Sequence, residues 1–272
     1  MPDAVLSPDQ LPSGWTDGAA DYDTFFAPVT GRFATDCLQL LGLQPGDRFL
    51  DVAAGSGALA LAAAEAGAEV LATDFAPGMV ELLSRKLEAS GARGAARRMD
   101  GQALELEDDS FDAAGSLFGL IFFPDLAAGA RELRRVVRPG GRVVVGAWHR
   151  AGFSVPSTVM RALRSVVPGL PAPQAEFAPF RLGEPESVEA LLTGAGLSDV
   201  HVELSTHVAE LADPAAMFLA MPQWGAPLRP LIEGLTETQR ERAAQAFASL
   251  VTAPGDSVGH MPNTAILGVG TV

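Results

Sequence analysis

The residues best placed for chemistry are Asp51, Ala53, Gly55 and Gly57, in the run Phe49-Leu50-Asp51-Val52-Ala53-Ala54-Gly55-Ser56-Gly57-Ala58-Leu59. Its apolar half predicts a buried strand and its alanine-rich half a helix, with the glycines at the turn between them. Glycine permits a tight turn and lets backbone approach a ligand closely. The first N–H groups of the following helix have no partner within it and point into that turn. The spacing Gly55-x-Gly57-x-x-Ala60 also fits a dinucleotide-binding turn. Asp51 separates the readings: a carboxylate facing the ligand repels a pyrophosphate and favours an ammonium or sulfonium cation.

A second acid, Asp74, ends the next predicted strand, Ala68 to Thr73, one strand–helix–strand repeat further on. There it can accept from both hydroxyls of a ribose, at roughly 1.5–3 kcal/mol for each charge-assisted bond. It also suits the N-cap of a helix opening Ala76-Pro77-Gly78-Met79, and the two roles are compatible. Phe75 and Met79 would then pack on an adenine. A weaker strand, Ala95 to Met99, closes at Asp100-Gly101-Gln102-Ala103. A fourth, Phe111 to Leu117, runs into Phe118-Gly119-Leu120-Ile121-Phe122-Phe123-Pro124-Asp125, which should face the cleft because ligands sit at the carboxyl ends of such strands. A helix over Leu126 to Val137 stops at Arg138-Pro139-Gly140-Gly141, and a fifth strand follows over Arg142 to Ala147.

The order acid-x-Ala-x-Gly-x-Gly from Asp51 resembles the first motif of class I S-adenosylmethionine (SAM)-dependent methyltransferases. Arg131-Glu-Leu-Arg-Arg-Val-Val-Arg-Pro-Gly-Gly-Arg142 resembles the signature after the fourth strand in one branch of that family, which includes the C-methyltransferases of ubiquinone and menaquinone biosynthesis. The resemblance covers about residues 45–150. Ala53 replaces the family's usual first glycine, so the backbone there is expected to avoid positive φ. The resemblance implies an α/β, doubly wound (Rossmann-like), seven-stranded and mostly parallel sheet with the last strand antiparallel, plus helical lid and cap insertions. It implies SAM as cofactor, S-adenosylhomocysteine (SAH) as product, and a cofactor site of Asp51, Ala53, Gly55, Gly57, Asp74, Phe75, Met79, Asp100, Gly101, Gln102 and Leu117. In the family, an acid at the position of Asp100 accepts from the adenine amino group.

Methyl transfer requires alignment of the nucleophile, exclusion of water and, for weakly acidic acceptors, removal of a proton. His149, directly after the fifth strand, is the candidate base, against the alternative of an exposed turn histidine. Tyr22, the sole tyrosine, could orient methyl group or acceptor if the aromatic-rich N-terminal helix closes as a lid. His201 reads as structural, His207 and His260 cannot be ranked, and no spaced His/Asp/Glu set resembles a metal site. Phe26, Phe118, Phe122, Trp148, Phe177, Phe180 and Trp224 would line an acceptor pocket suited to a small hydrophobic or aromatic molecule, or would be the insertions' own core.

To position these residues, the chain of 272 residues should fold as one domain: a lid segment over 1–44, the SAM-binding core over 45–150, cap insertions over 151–185 and 212–260, and closing strands in 186–211 and 261–272. Residues 1–20, rich in Pro, Gly, Asp and Ser, read as surface loop, with helix from Asp21 to about Leu43. With 33 acidic against 19 basic side chains and a net charge of −14, nucleic acid is a poor substrate. The arginines at 131, 134, 135 and 138 read as a solvated helix face. The one cysteine, Cys37, excludes an internal disulfide and a cysteine zinc cluster. No apolar run reaches bilayer length and Met1-Pro2-Asp3 lacks a basic region, so a cytoplasmic protein is expected, with homo-oligomerisation left open. Two other readings stand beside a small-molecule methyltransferase. One is a SAM-fold protein with a non-methylating role such as cyclisation; the other is an NAD-dependent oxidoreductase, which Asp51 and the Arg-Pro-Gly-Gly block oppose.

Overall fold

In a computed structural model, which describes residues 8–167, 169–170, 178–225 and 228–272, the chain is built around β1 (Arg48–Val52). Beyond Arg48 every residue of β1 is buried, the pattern of a strand covered on both faces. β2 (Glu69–Asp74), β3 (Gly94–Arg98), β4 (Phe111–Leu117), β5 (Val137–Phe153), β6 (Ser198–Leu211) and β7 (Gly259–Thr271) complete one sheet. Among the described residues it has seven strands in the order β3-β2-β1-β4-β5-β7-β6. The first five strands of that order run parallel, and β7 is antiparallel to both β5 and β6. This is the doubly wound, mostly parallel architecture with an antiparallel last strand.

The chain enters through short helices α1 (Ser13–Thr16), α2 (Ala19–Phe25) and α3 (Ala27–Thr30), then α4 (Ala34–Leu41). Helix therefore starts ahead of the expected Asp21, and it is broken into turns where a continuous helix was expected. α5 (Ala58–Glu65), α6 (Pro77–Ser90) and α7 (Leu126–Val136) alternate with the parallel strands. α8 (Ser154–Val166) and α9 (Pro185–Gly194) lie between β5 and β6. α10 (Pro214–Trp224), α11 (Arg229–Glu233) and α12 (Glu237–Val251) lie between β6 and β7. Extended backbone resumes at Val137, so Pro139 and the two glycines fall inside β5 rather than in a separate turn. Phe49, Leu50, Ala114, Val143, Val144, Val145, Ile266 and Leu267 are fully buried along the central strands. Gly115 allows the tight packing there: a Cβ on it would lie 2.8 Å from Leu59 Cδ2 and 2.9 Å from Val144 Cγ1. Among the described residues no helix is long and apolar enough to cross a membrane.

β1 and β4 are neighbours although β2, β3 and their helices separate them in sequence. The connections leave this pair in opposite directions, and a crevice opens outside the carboxyl ends of the strands at such a reversal.

Candidate functional site

The crevice floor is the turn from β1 to α5. Ala53 takes φ +56°, Gly55 +56° and Gly57 +96°. Ala53 therefore keeps the left-handed backbone of the glycine it replaces, contrary to the expectation from sequence, and does so at a cost of roughly 1–2 kcal/mol. Gly57 is fixed by sterics as well, because a Cβ there would overlap Leu83 Cδ1 on α6.

Asp51 does not reach the crevice wall. Its carboxylate is 1% exposed; Oδ2 accepts from the Ala60 N–H at 2.9 Å, and Oδ1 has no hydrogen-bond partner. Burial pushes Asp51 up to about 8, against the Ala60 N–H, with the nearby Asp74 charge adding to the rise. The expectation that Asp51 faces the ligand is corrected: it ties the turn down from behind.

Asp74 does line the crevice. Its Oδ2 accepts from the Gly55 N–H and its Oδ1 from the Ala76 N–H, both at 2.9 Å. One carboxylate therefore fixes the glycine turn and satisfies an orphan donor at the start of α6. Burial raises it to about 6, opposed by the N–H groups of Ala76, Gly55 and Phe75. Phe75, Met79, Arg98 and Met99 continue this wall, with Arg98 Nε donating to the Phe75 carbonyl at 3.2 Å. Asp100 Oδ1 accepts from the Gln102 N–H at 2.9 Å and from Gln102 Nε2 at 3.1 Å. Gln102 Oε1 accepts from the Asp125 N–H at 2.8 Å. Gly101 has no room for a side chain, since a Cβ would press on Phe123 and Val52.

The other half of the crevice is aromatic. β4 ends at Leu117, and Phe118 turns back with φ +62°, a conformation costly for a bulky side chain and typical of constrained sites. That turn lays Phe118 flat on Trp148, with ring centroids 3.7 Å apart and planes 6° from parallel, and Trp148 lies equally flat on Phe153 at 4.2 Å. Gly119 makes the fold-back feasible, because a Cβ there would overlap Ala53. The roof comes from the N-terminal helices: Trp15 meets Phe122 edge-on at 4.9 Å, and Tyr22 meets Phe26 at 5.6 Å. Burial pushes Tyr22 up to about 12, so its hydroxyl stays neutral and acts as a hydrogen-bonding group rather than a base.

Together these walls enclose a cavity of about 540 Å³. It gathers Tyr22, Phe26, Ala53, Gly55, Asp74, Phe75, Met79, Asp100, Gly101, Gln102, Leu117, Phe118, Phe122 and Trp148 from the sequence-based set. Asp51 and Gly57 stand behind it. Phe180 is not on the wall: it meets Phe153 edge-on at 6.4 Å and carries the Arg150 guanidinium 5.3 Å from its ring centroid. His149 is not on the wall either; it is partly exposed, with Nδ1 beside Gly152. Phe177 and the Trp224 side chain lie outside what the structure describes. The sequence reading missed Trp15, Thr30, Phe153, Val155 and Leu228, which line the cavity. Trp15 alone carried a signal, as a large aromatic in an otherwise small and polar segment. Elsewhere, His207 is held by Asp36 at 2.8 Å and His201 by Glu203 at 3.2 Å, while His260 is exposed. Among the described residues no group of three or more His, Cys, Asp or Glu could hold a metal ion.

The first half of this cavity carries groups that could hold a nucleoside-containing cation. Apolar faces at Phe75, Met79 and Met99 flank two carboxylates, Asp74 and Asp100, and the left-handed turn at 53–57 brings bare backbone to the surface. The volume lies in the ordinary range of ligand pockets, about 300–1,000 Å³.

Residues 50–145 match the family described as methyltransferase domain. An uncharacterized protein of Mycobacterium tuberculosis is 38% identical over 178 residues, 65% of this chain and 63% of that protein. A demethylmenaquinone methyltransferase of Clavibacter sepedonicus is 44% identical over 100 residues, 37% of this chain and 40% of that enzyme. The chain thus spans less than two thirds of the length of these curated relatives. Among solved structures, phosphoethanolamine N-methyltransferase 2 of Haemonchus contortus, in complex with S-adenosyl-L-methionine, superposes with a TM-score of 0.58 at 18% identity, covering 100% of this chain and 61% of that one. At that identity the likeness is one of fold.

Proposed function

We propose that this chain, whose residues 50–145 match the methyltransferase-domain family, is a class I SAM-dependent methyltransferase acting on a small apolar or aromatic acceptor. The observation that carries the proposal is one continuous cavity, with carboxylates and bare backbone at one end and stacked aromatic rings at the other. When bound, SAM supplies a methyl carbon already activated by a positive sulfur. The chain's own residues then bind, align and exclude water. Asp74 would hold the ribose, Asp100 and Gln102 the adenine end, Phe75 and Met79 the base's faces, and the 53–57 turn the amino-acid end. Phe26, Phe118, Phe122, Trp148 and Phe153 would bind the acceptor, and a neutral Tyr22 would orient it.

In the same proposal the N-terminal helices are the lid, residues 45–150 the cofactor core, and the segments at 151–185 and 212–260 the caps that close the acceptor end. His149 takes no part as base from where it stands. The net charge of −14 supports a small molecule over nucleic acid as acceptor. Incubation with methyl-labelled SAM and a panel of phenols, quinols and aromatic amines tests the proposal. Label should enter at least one organic-soluble product. SAH binding with no transfer across the panel would favour a non-methylating role on the same cofactor fold.

A further inference from the structure

One lysine outside the cavity joins two of its walls. Lys86, on α6, places Nζ 2.7 Å from Asp23 Oδ1 on α2 and 2.9 Å from the backbone carbonyl of Ser56 in the glycine turn. The pair is about seven-tenths shielded, with the side chains of Lys86 and Asp23 31% and 28% exposed. Asp23 is one residue from Tyr22, and Ser56 is itself on the cavity wall. An ammonium has three donors and no acceptor, so it can hold a carboxylate and a carbonyl at once. The neighbouring contacts point the same way. Gly78, at the start of α6, has no room for a side chain because the Thr16 carbonyl of the N-terminal segment lies against it. Arg229, on α11, donates to the Gly14 carbonyl at 3.0 Å. The roof of the cavity, carrying Trp15, Tyr22 and Phe26, is therefore held by a cation at two points, Arg229 at Gly14 and Lys86 at Asp23.

We propose that Lys86 is a positioning residue that couples the glycine turn to the N-terminal helices, so that a cofactor seated on the turn is retained by the same ammonium that holds the helices down. The inference rests on the cavity being a SAM site. Lys86 opposes both a lifted roof and a displaced turn, either of which would free a seated cofactor. Removing the ammonium should raise the dissociation rate and leave the folded core unaffected, since neither Lys86 nor Asp23 belongs to the buried core.

The test is release of radiolabelled SAH into excess unlabelled SAH, for the full chain and for Asp23→Asn, Lys86→Met and the double variant, with thermal unfolding as a check of folding. Asp23→Asn removes the ion pair and leaves the bond to Ser56; it should release SAH about threefold faster. Lys86→Met removes both bonds and should release it about tenfold faster. In the double variant the rate should stay near that of Lys86→Met, because the two residues act through one contact. Unchanged rates in folded variants, or a double variant near thirtyfold, would overturn the coupling and leave the cofactor reading intact. Failure of the unaltered chain to retain SAH would instead overturn the cofactor reading, and the coupling with it.

Discussion

Asp51 and Asp74 are two buried carboxylates with different work, and pH separates them. Both are raised by burial, Asp51 to about 8 and Asp74 to about 6, from ordinary values near 4 in an unfolded chain. Between about pH 4 and pH 8 the folded ligand-free protein therefore binds more protons than the unfolded chain, and its stability falls as pH rises through that window. Asp112, lowered by the Arg48 N–H and the Arg138 guanidinium, and Glu132, lowered by Arg135, act in the opposite sense below about pH 4. Thermal unfolding across pH should show the decline, and Asp51→Asn should flatten its upper part, between about pH 6 and pH 8. A profile unaltered by Asp51→Asn would mean that Asp51 is ionised in the fold. Asp74→Asn keeps the shape of the side chain and should weaken SAH binding by roughly 1.5–3 kcal/mol, measured by calorimetry; unchanged affinity would remove Asp74 from the site. Ala53→Gly relieves the left-handed alanine and costs some unfolded-chain entropy, so a net gain of about 0.5–1 kcal/mol is expected in denaturant unfolding. The type and spacing of these residues were legible in the sequence. The direction of the Asp51 carboxylate was not, because a strand-end acid can turn to the ligand or to the helix behind it with the same sequence pattern.

Between elements, the site depends on the segments after β4 and β5. Gly119→Ala would press a methyl group onto Ala53 and displace Phe118 from Trp148, at a cost of roughly 1–3 kcal/mol in unfolding and a loss of near-ultraviolet aromatic signal. The arginines of the 131–138 run, read from spacing as a solvated face, prove unequal. Arg135 grips Glu132, Asp108 and the carbonyls of Leu104 and Leu106, which fastens the loop beneath the site, and Arg138 pairs with Asp112. Arg135→Met leaves Glu132 without its guanidinium and should destabilise by about 2–4 kcal/mol, against under 0.5 kcal/mol for Arg134→Met. Helical periodicity reports which face a residue is on; it is blind to a loop that folds back onto that face from 27 residues away. The same blindness explains Trp15, whose ring partner Phe122 is remote in sequence, and the broken N-terminal helices, whose turns are set by packing rather than by propensity.

For the molecule as a whole, the alternation of strands and helices, the three acids at strand ends and the glycine turn made the sheet and the crevice at its carboxyl end readable from sequence. The aromatic end of the cavity was readable only as a composition, a set of aromatics after β4 and β5. Its stacking depends on two backbone positions, Ala53 and Phe118, that take positive φ without being glycine. On the proposed function, the crevice binds SAM and its product rather than a dinucleotide. Thermal unfolding with saturating SAH, and separately with NAD, tests it most directly. A ligand at about 100 times its dissociation constant adds roughly 2.7 kcal/mol, which for a chain of this size raises the midpoint by several degrees. SAH should produce that rise and NAD none; a rise with NAD alone would overturn the proposed function.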